Sequence, residues 1–186
     1  QNGVVTTLAG EYDIEDEDEE PLRDGPGATA RFLYPTGMAP DAQGRRLVAD
    51  MINKRIRRVT SEGETTTIGG ADGPRMEGTP TGIVVAPAGT VFVPEVTGPH
   101  RICTLLPDGT LTTLAGGAEC GFVDGRGEAA RFYNPMGMAE GPDGRIYVAD
   151  EGNHSIRRVD RQGNVTTIAG GGPTAEDHID GERTSA

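Results

Sequence analysis

The chain has 186 residues, an apolar fraction of 34%, 29 Gly, 13 Pro and no Trp. That composition suits short strands joined by tight turns better than a helical core, and no run approaches the roughly 18–20 apolar residues that span a bilayer. A formal net charge of −12 repels phosphate backbones and argues against a nucleic-acid partner.

Residues 1–10, QNGVVTTLAG, show neither the basic nor the apolar region of a signal peptide. Val4–Leu8 instead has the β-branched pattern of an outer strand whose three inner partners do not precede it, so it is expected to complete another blade. Residues 11–34 follow as an acidic loop and an inter-blade linker. The run Asp13, Glu15, Asp16, Glu17, Asp18, Glu19 and Glu20 repels itself and reads as a solvated loop. Its sharper reading is a site for Ca²⁺ or a cationic partner, with weak binding because it lacks the Asp-Asn-Gly spacing of a preformed calcium loop.

Three copies of one unit then occupy residues 35–70, 80–117 and 135–171, separated by linkers at 71–79 and 118–134. The third copy shows the unit best: PMGMA, a turn at GPDG, RIYVAD, a turn at EGNH, SIRRV, a turn at RQGN, and VTTIAG. Four alternating strands joined by short turns predict an antiparallel meander, and a repeat of this length cannot bury its apolar face without neighbours. The fold class is therefore all-β, a β-propeller of four-stranded blades. Inner strands are expected near 36–39, 81–85 and 136–139, and outer strands near 65–69, 111–115 and 165–169. Residues 172–186 read as a linker to a further blade.

The repeats resemble the NHL family of β-propellers. The residues that carry the resemblance are Pro135-x-Gly137, Asp143-Gly144, Tyr147-Val148-Ala149-Asp150, Asn153 and Ile156-Arg157, with counterparts in the first copy at Pro35-x-Gly37, Gly44, Val48-Ala49-Asp50, Asn53 and Ile56-Arg57. The middle copy departs from the pattern with Pro94-Glu95 and Gly98-Pro99-His100. The resemblance implies a ring of six blades, of which three are present, and most often an interaction platform. A second shared motif, DG-x-G-x-x-ARF, occurs at Asp24–Phe32 and Asp124–Phe132. Its Arg31 and Arg131 are expected to pair with carboxylates while each Phe plugs a seam between blades.

Candidate chemistry is sparse. His100 and His154 hold equivalent turn positions and read as exposed, and His178 stands alone. Asp50, Glu95 and Asp150 recur at the end of the second strand. They are expected to accept hydrogen bonds from N–H groups of their own turns rather than to form a cation-binding ring. Of Arg57-Arg58 and Arg157-Arg158, alternation puts one of each pair outward. Cys103 and Cys120 are coincident departures from the repeat and make the candidate disulfide. Asn153-His154-Ser155 and Asn164-Val165-Thr166 are candidate glycosylation sequons.

No catalytic residue, cofactor-binding residue or cofactor is expected, apart from weakly bound Ca²⁺. The expected role is a non-catalytic extracellular or cell-surface module binding proteins, further copies of itself or glycan, with no membrane insertion. The alternative is a metal-dependent lyase- or lactonase-like propeller enzyme whose ligands lie in blades other than these three.

Overall fold

The computed structural model of the chain describes residues 3–11, 22–69 and 76–172. Apart from two three-residue 3-10 turns, at Gly127–Ala129 and Glu151–Asn153, every regular element among them is a β-strand. The all-β expectation holds, and the three repeats are three separate antiparallel sheets of a partial propeller.

Blade 1 runs β1 (Pro35–Pro40), β2 (Arg46–Asp50), β3 (Arg55–Val59) and β4 (Thr65–Gly69), hydrogen-bonded in that order. In blade 2 the expected inner strand is broken into β5 (Thr79–Pro80) and β6 (Val84–Val85), both on β7 (Val91–Val96), which continues to β8 (His100–Leu105) and β9 (Leu111–Gly117). The break lies between the pairs Pro80↔Glu95 and Val84↔Phe92. Pro94 sits in that interval and has no N–H to give the ladder.

Blade 3 begins with a strand not anticipated from the repeat, β10 (Gly125–Arg126). It lies on the outer edge of a meander of β11 (Pro135–Glu140), β12 (Ile146–Asp150), β13 (Ser155–Val159) and β14 (Asn164–Ala169). An isolated bridge from Gly25 to Thr65 repeats this arrangement in blade 1. The DG-x-G segment therefore crosses the outer edge of the blade it introduces before the chain turns inward.

The apolar core lies between blades. Leu47, Ala49 and Ile56 of blade 1 pack with Ile83, Val91, Val93 and Leu105 of blade 2. Phe92, Ile102 and Ala115 of blade 2 pack with Phe132, Ile146, Val148 and Val159 of blade 3. Burial follows position in the stack: Ile56 and Ile102 are fully buried, whereas their counterpart Ile156, on the far side of blade 3, is 39% exposed.

Each outer strand carries a bulge at the same place, where pairing shifts after Ile56, Ile102 and Ile156. One extra residue on the outer strand, Ile68, Leu114 or Ile168, leaves the ladder there. Its carbonyl turns toward the next blade. A methyl built on Gly109 would lie 2.7 Å from the Ile68 oxygen, and one on Gly163 would lie 2.3 Å from the Leu114 oxygen. Both glycines have positive φ, +87° and +80°, so any side chain there is excluded by conformation and by space.

The inner strands approach as closely. A Cβ on Gly37 would fall 2.5 Å from Gly82 Cα, but one on Gly137 would meet nothing within 4 Å. Gly37→Ala is expected to lose about 1–3 kcal/mol by forcing two backbones apart, and Gly137→Ala to change stability by no more than about 0.5 kcal/mol. Denaturant titration of the two variants checks the contrast.

Candidate functional site

The most polar buried groups among the described residues form one arrangement, present in blade 1 and again in blade 3. Asp50 at the end of β2 is fully buried. Its Oδ1 accepts the Leu33 N–H at 2.8 Å, and its Oδ2 accepts Asn53 Nδ2 at 2.9 Å and Arg57 at 2.7 Å. Arg57, on β3 and equally buried, donates further to the Arg31 carbonyl at 2.7 Å, the Arg23 carbonyl at 2.7 Å and Asp24 Oδ1 at 2.8 Å. Asp24 in turn accepts the Thr67 N–H and hydroxyl on β4. The Arg57 guanidinium lies 4.8 Å from the centre of the Phe32 ring, within cation–π range.

Blade 3 repeats every contact. Asp150 accepts from the Tyr133 N–H, Asn153 and Arg157, each at 2.7 Å. Arg157 reaches the carbonyls of Arg131 and Val123 and the carboxylate of Asp124, with Phe122 and Phe132 near its guanidinium. Burial raises the Asp150 pKa, and the bonds from Asn153, Tyr133 and Arg157 only partly oppose it. For Asp124, half-exposed, burial acts in the same direction but is outweighed by Thr167 and Arg157, so its carboxyl lies below the usual range.

Blade 2 solves the same problem differently. Cys103 stands where the other blades have Arg57 and Arg157, across the same strand pair from Val93. Glu95, one methylene longer than Asp, accepts the Gly78 N–H at 3.3 Å and pairs with Arg101 two residues before Cys103. The Cys103 thiol lies 3.4 Å from Glu95 Oε2. Burial first, then the Glu95 charge, pushes its pKa well above that of a free thiol.

Several expectations change accordingly. The backbone N–H that Asp50, Glu95 and Asp150 each accept comes from the linker, 17 residues upstream, rather than from their own turns. From those turns Asp50 and Asp150 take only the side-chain amides of Asn53 and Asn153. Of the linker arginines, Arg31 does meet a carboxylate, Glu11, at 3.6 Å, but Arg131 donates to the carbonyls of Glu128 and Ala130. In both of these linkers the Asp holds a buried arginine, and the Phe plug is as expected at Phe132, fully buried between blades 2 and 3, whereas Phe32 is half-buried. Of the paired arginines, Arg57 and Arg157 turn inward. His100 is half-buried, not an exposed turn residue: its Nδ1 accepts the Asn134 N–H at 3.1 Å, and burial lowers its pKa against the opposing pull of Asp150. His154 is exposed, at φ +50°.

The cysteines are free thiols rather than the expected bridge, Cys103 buried on Glu95 and Cys120 on the surface. Asn153 is a poor glycan acceptor, because its Nδ2 is buried between Gly121 O and Asp150 Oδ2. Asn164 is the exposed first residue of β14, and its Nδ2 donates to Asp160. The acidic candidates Asp13 to Glu20, with His178, fall outside the described residues. Among the described residues no three His, Cys, Asp or Glu side chains converge as metal ligands.

The last feature is the segment ahead of blade 1. Residues 4–8 form no ladder among the described residues, and Val4 and Val5 are 80% and 93% exposed. Yet Leu8 is seated as an outer-strand bulge is: its carbonyl oxygen would lie 2.4 Å from a methyl on Gly63 and 2.2 Å from one on Gly27. Leu114 makes the same approach to Gly163, with Gly127 beside it. Leu8 thus approaches blade 1 as a bulged outer-strand residue does, while residues 4–8 themselves are in no strand among the described residues.

With that geometry established, comparison with known proteins is specific. Residues 132–159 match the NHL repeat. The third copy of the unit is therefore an NHL repeat. NHL repeat-containing protein 2 of Gallus gallus is 40% identical over 92 residues, covering 49% of this chain but only 12% of that protein. Virginiamycin B lyase from Staphylococcus aureus superposes with a TM-score of 0.54 at 19% identity, over 72% of this chain and 40% of the lyase. An auxiliary nutrient binding protein from Bacteroides thetaiotaomicron gives 0.56 at 24% identity, over 72% and 35%. These two likenesses establish the fold.

Two measurements test the ionic arrangement. Asp150→Ala removes the fully buried carboxylate of Arg157, leaving only the half-exposed Asp124 as its anion, and is expected to cost about 3–5 kcal/mol. Adding Arg157→Cys, the blade 2 solution, is expected to cost less than the sum of the single changes in a double-mutant cycle followed by denaturant. Separately, iodoacetamide at pH 8 is expected to label Cys120 alone in the folded protein and both thiols after unfolding, as read by intact mass.

Proposed function

We propose that these NHL repeats serve as a non-catalytic module that binds protein by completing a blade across its own edge. The observation that supports this reading is the exposed Val4–Leu8 segment, whose Leu8 carbonyl sits against Gly63 and Gly27 as a bulged outer-strand carbonyl does, while residues 4–8 pair with no strand among the described residues. An exposed β-branched edge is a template for strand addition. A third strand of the Ile-Arg-Arg-Val type is the chemically matched partner, since Ile156 and its ladder to Ala169 show how such a strand pairs with this outer-strand sequence. The donor is a blade other than the three described, on the same polypeptide or on another chain. The recurrent carboxylates and arginines, for their part, are engaged in holding the blades together, which favours a scaffold over a reaction centre.

The test uses the chain as it is, at rising concentration, followed by light scattering and hydrogen exchange. Association is expected, with slowed exchange at residues 4–8, and Thr6→Pro, which removes a ladder donor, is expected to weaken it about ten-fold. A chain that stays monomeric to its solubility limit, or that associates with residues 4–8 exchanging freely, overturns strand addition between chains.

A further inference from the structure

The two seams between blades differ in a way that leaves one of them hollow. At the seam of blades 2 and 3, Phe92 from blade 2 and Arg161 from blade 3 fill the gap, the Arg161 guanidinium 4.6 Å from the Phe92 ring centre and paired with Glu140. By strand register the same three places at the seam of blades 1 and 2 hold Leu47, Pro107 and Val85. A ring, a guanidinium and a carboxylate are replaced by three smaller apolar side chains. What remains is a cleft of about 310 Å³, at the small end of the ~300–1,000 Å³ typical of ligand sites.

The cleft has mixed walls, with Leu47, Ile68, Val91, Leu105 and Leu106 supplying apolar surface and Asp41, Gln43, Arg45 and Arg58 supplying polar surface. At one side stand two arginines, Arg45 and Arg58. Arg45 is engaged by Asp41 at 2.7 Å. Arg58 makes no hydrogen bond or ion pair among the described residues, and its Nε is buried without a partner. The counterpart of Arg58 is Arg158 in blade 3 and Thr104 in blade 2, so a blade forms with or without a cation there. Burial, and then the Arg45 charge beside it, lowers the Arg58 pKa, with Asp41 opposing too weakly to restore it. A guanidinium held beside a second guanidinium, with no anion of its own, is a site for an anionic group.

We infer that the cleft between blades 1 and 2 binds a free aliphatic monocarboxylate, its carboxylate on Arg58 and its chain between Leu47 and Leu106. Size suits a molecule of about ten heavy atoms, taking ~30 Å³ for each by the measure of liquid water. A peptide is a worse match. The Leu106 and Gly89 N–H groups are committed to their own turns, and Pro87 and Pro107 have none, so those positions of the cleft wall cannot receive a peptide backbone. Local charge is favourable too: two arginines against one aspartate on a chain whose net charge is −12.

Octanoate is the probe, with octanamide as its uncharged match and acetyl-Leu-Leu as the peptide form of the same carboxylate. Calorimetry on the whole chain is expected to show saturable octanoate binding, with octanamide and acetyl-Leu-Leu each at least about ten-fold weaker. Arg58→Thr, the residue blade 2 already uses, is expected to weaken octanoate about ten-fold. Leu47→Phe with Pro107→Arg, which rebuilds the plug of the other seam, is expected to abolish binding, with thermal melts showing both variants folded. Should a variant fail to fold, amide shift mapping on the unaltered chain decides, with the largest octanoate-induced changes expected at Leu47, Val91 and Leu106. Absence of octanoate binding, equal affinity for octanamide, tighter binding of acetyl-Leu-Leu, unchanged affinity in folded Arg58→Thr, or shifts centred elsewhere would each overturn the assignment.

Discussion

The structure depends on a buried arginine held between two carboxylates. Arg57 and Arg157 each tie the second strand of a blade, through Asp50 or Asp150, to the linker that precedes it, through Asp24 or Asp124 and two backbone carbonyls. A lone buried guanidinium would be strongly unfavourable, and a buried pair recovers its desolvation only when geometry and hydrogen bonding are good. Here both terminal guanidinium nitrogens are engaged, and the aromatic ring of the linker lies against the charge. Because the pairing spans strand and linker, it fixes where the linker enters the blade and does more than add contact area. Asp24 then reaches Thr67 on the outermost strand, so one charged cluster registers the linker against both the inner and outer halves of a blade.

Apolar burial depends on that registration. No blade has a core of its own; each apolar cluster is shared by two neighbours. Sheets stacked this way must come close, and the closeness is set by glycine, at Gly37 against Gly82 and at Gly109 and Gly163 against the bulged carbonyls of the preceding blade. Polar bonds cross the inner rim as well, with the Thr36 and Thr81 hydroxyls donating to backbone carbonyls of the next blade. Cooperativity is therefore a property of neighbours, as expected for stacked repeats.

Much of the fold was legible because strand alternation and turn residues are local signals. The outer strands begin within a residue of their expected places, and the inner strands of blades 1 and 3 do too. The inner strand of blade 2 was read as continuous because Pro94 acts across the sheet, on a neighbour that alternation does not reveal. The role of Asp50 and Asp150 was missed for a similar reason. Their partners stand 7 and 17 residues away, and those of Arg57 lie 26 to 34 residues upstream, beyond any periodicity. A signal did exist: where blade 2 loses the arginine to Cys103, its aspartate also changes, to Glu95. The coincidence of Cys103 with Cys120 points to a disulfide instead, whereas Cys103 belongs with Glu95 as the two halves of one ion-pair substitution. Asn153 misled in the opposite sense, since a sequon on a turn says nothing of whether its amide faces inward.

The bonds of the arginine cluster also make the chain periodic at two lengths. Blades recur at intervals of 45 and 55 residues when counted from Asp50 to Glu95 to Asp150, but the residues of the cluster recur at 100, from Asp24, Asp50, Asn53 and Arg57 to Asp124, Asp150, Asn153 and Arg157. The smaller interval is that of shape and the larger that of wiring. Blade 1 and blade 3 could exchange bodies without stranding a charge, whereas either exchanged for blade 2 would set Cys103 against a linker aspartate that has lost its cation. A blade of this chain is accordingly interchangeable only with one of its own wiring, and the residues of a cluster are constrained to change as a set.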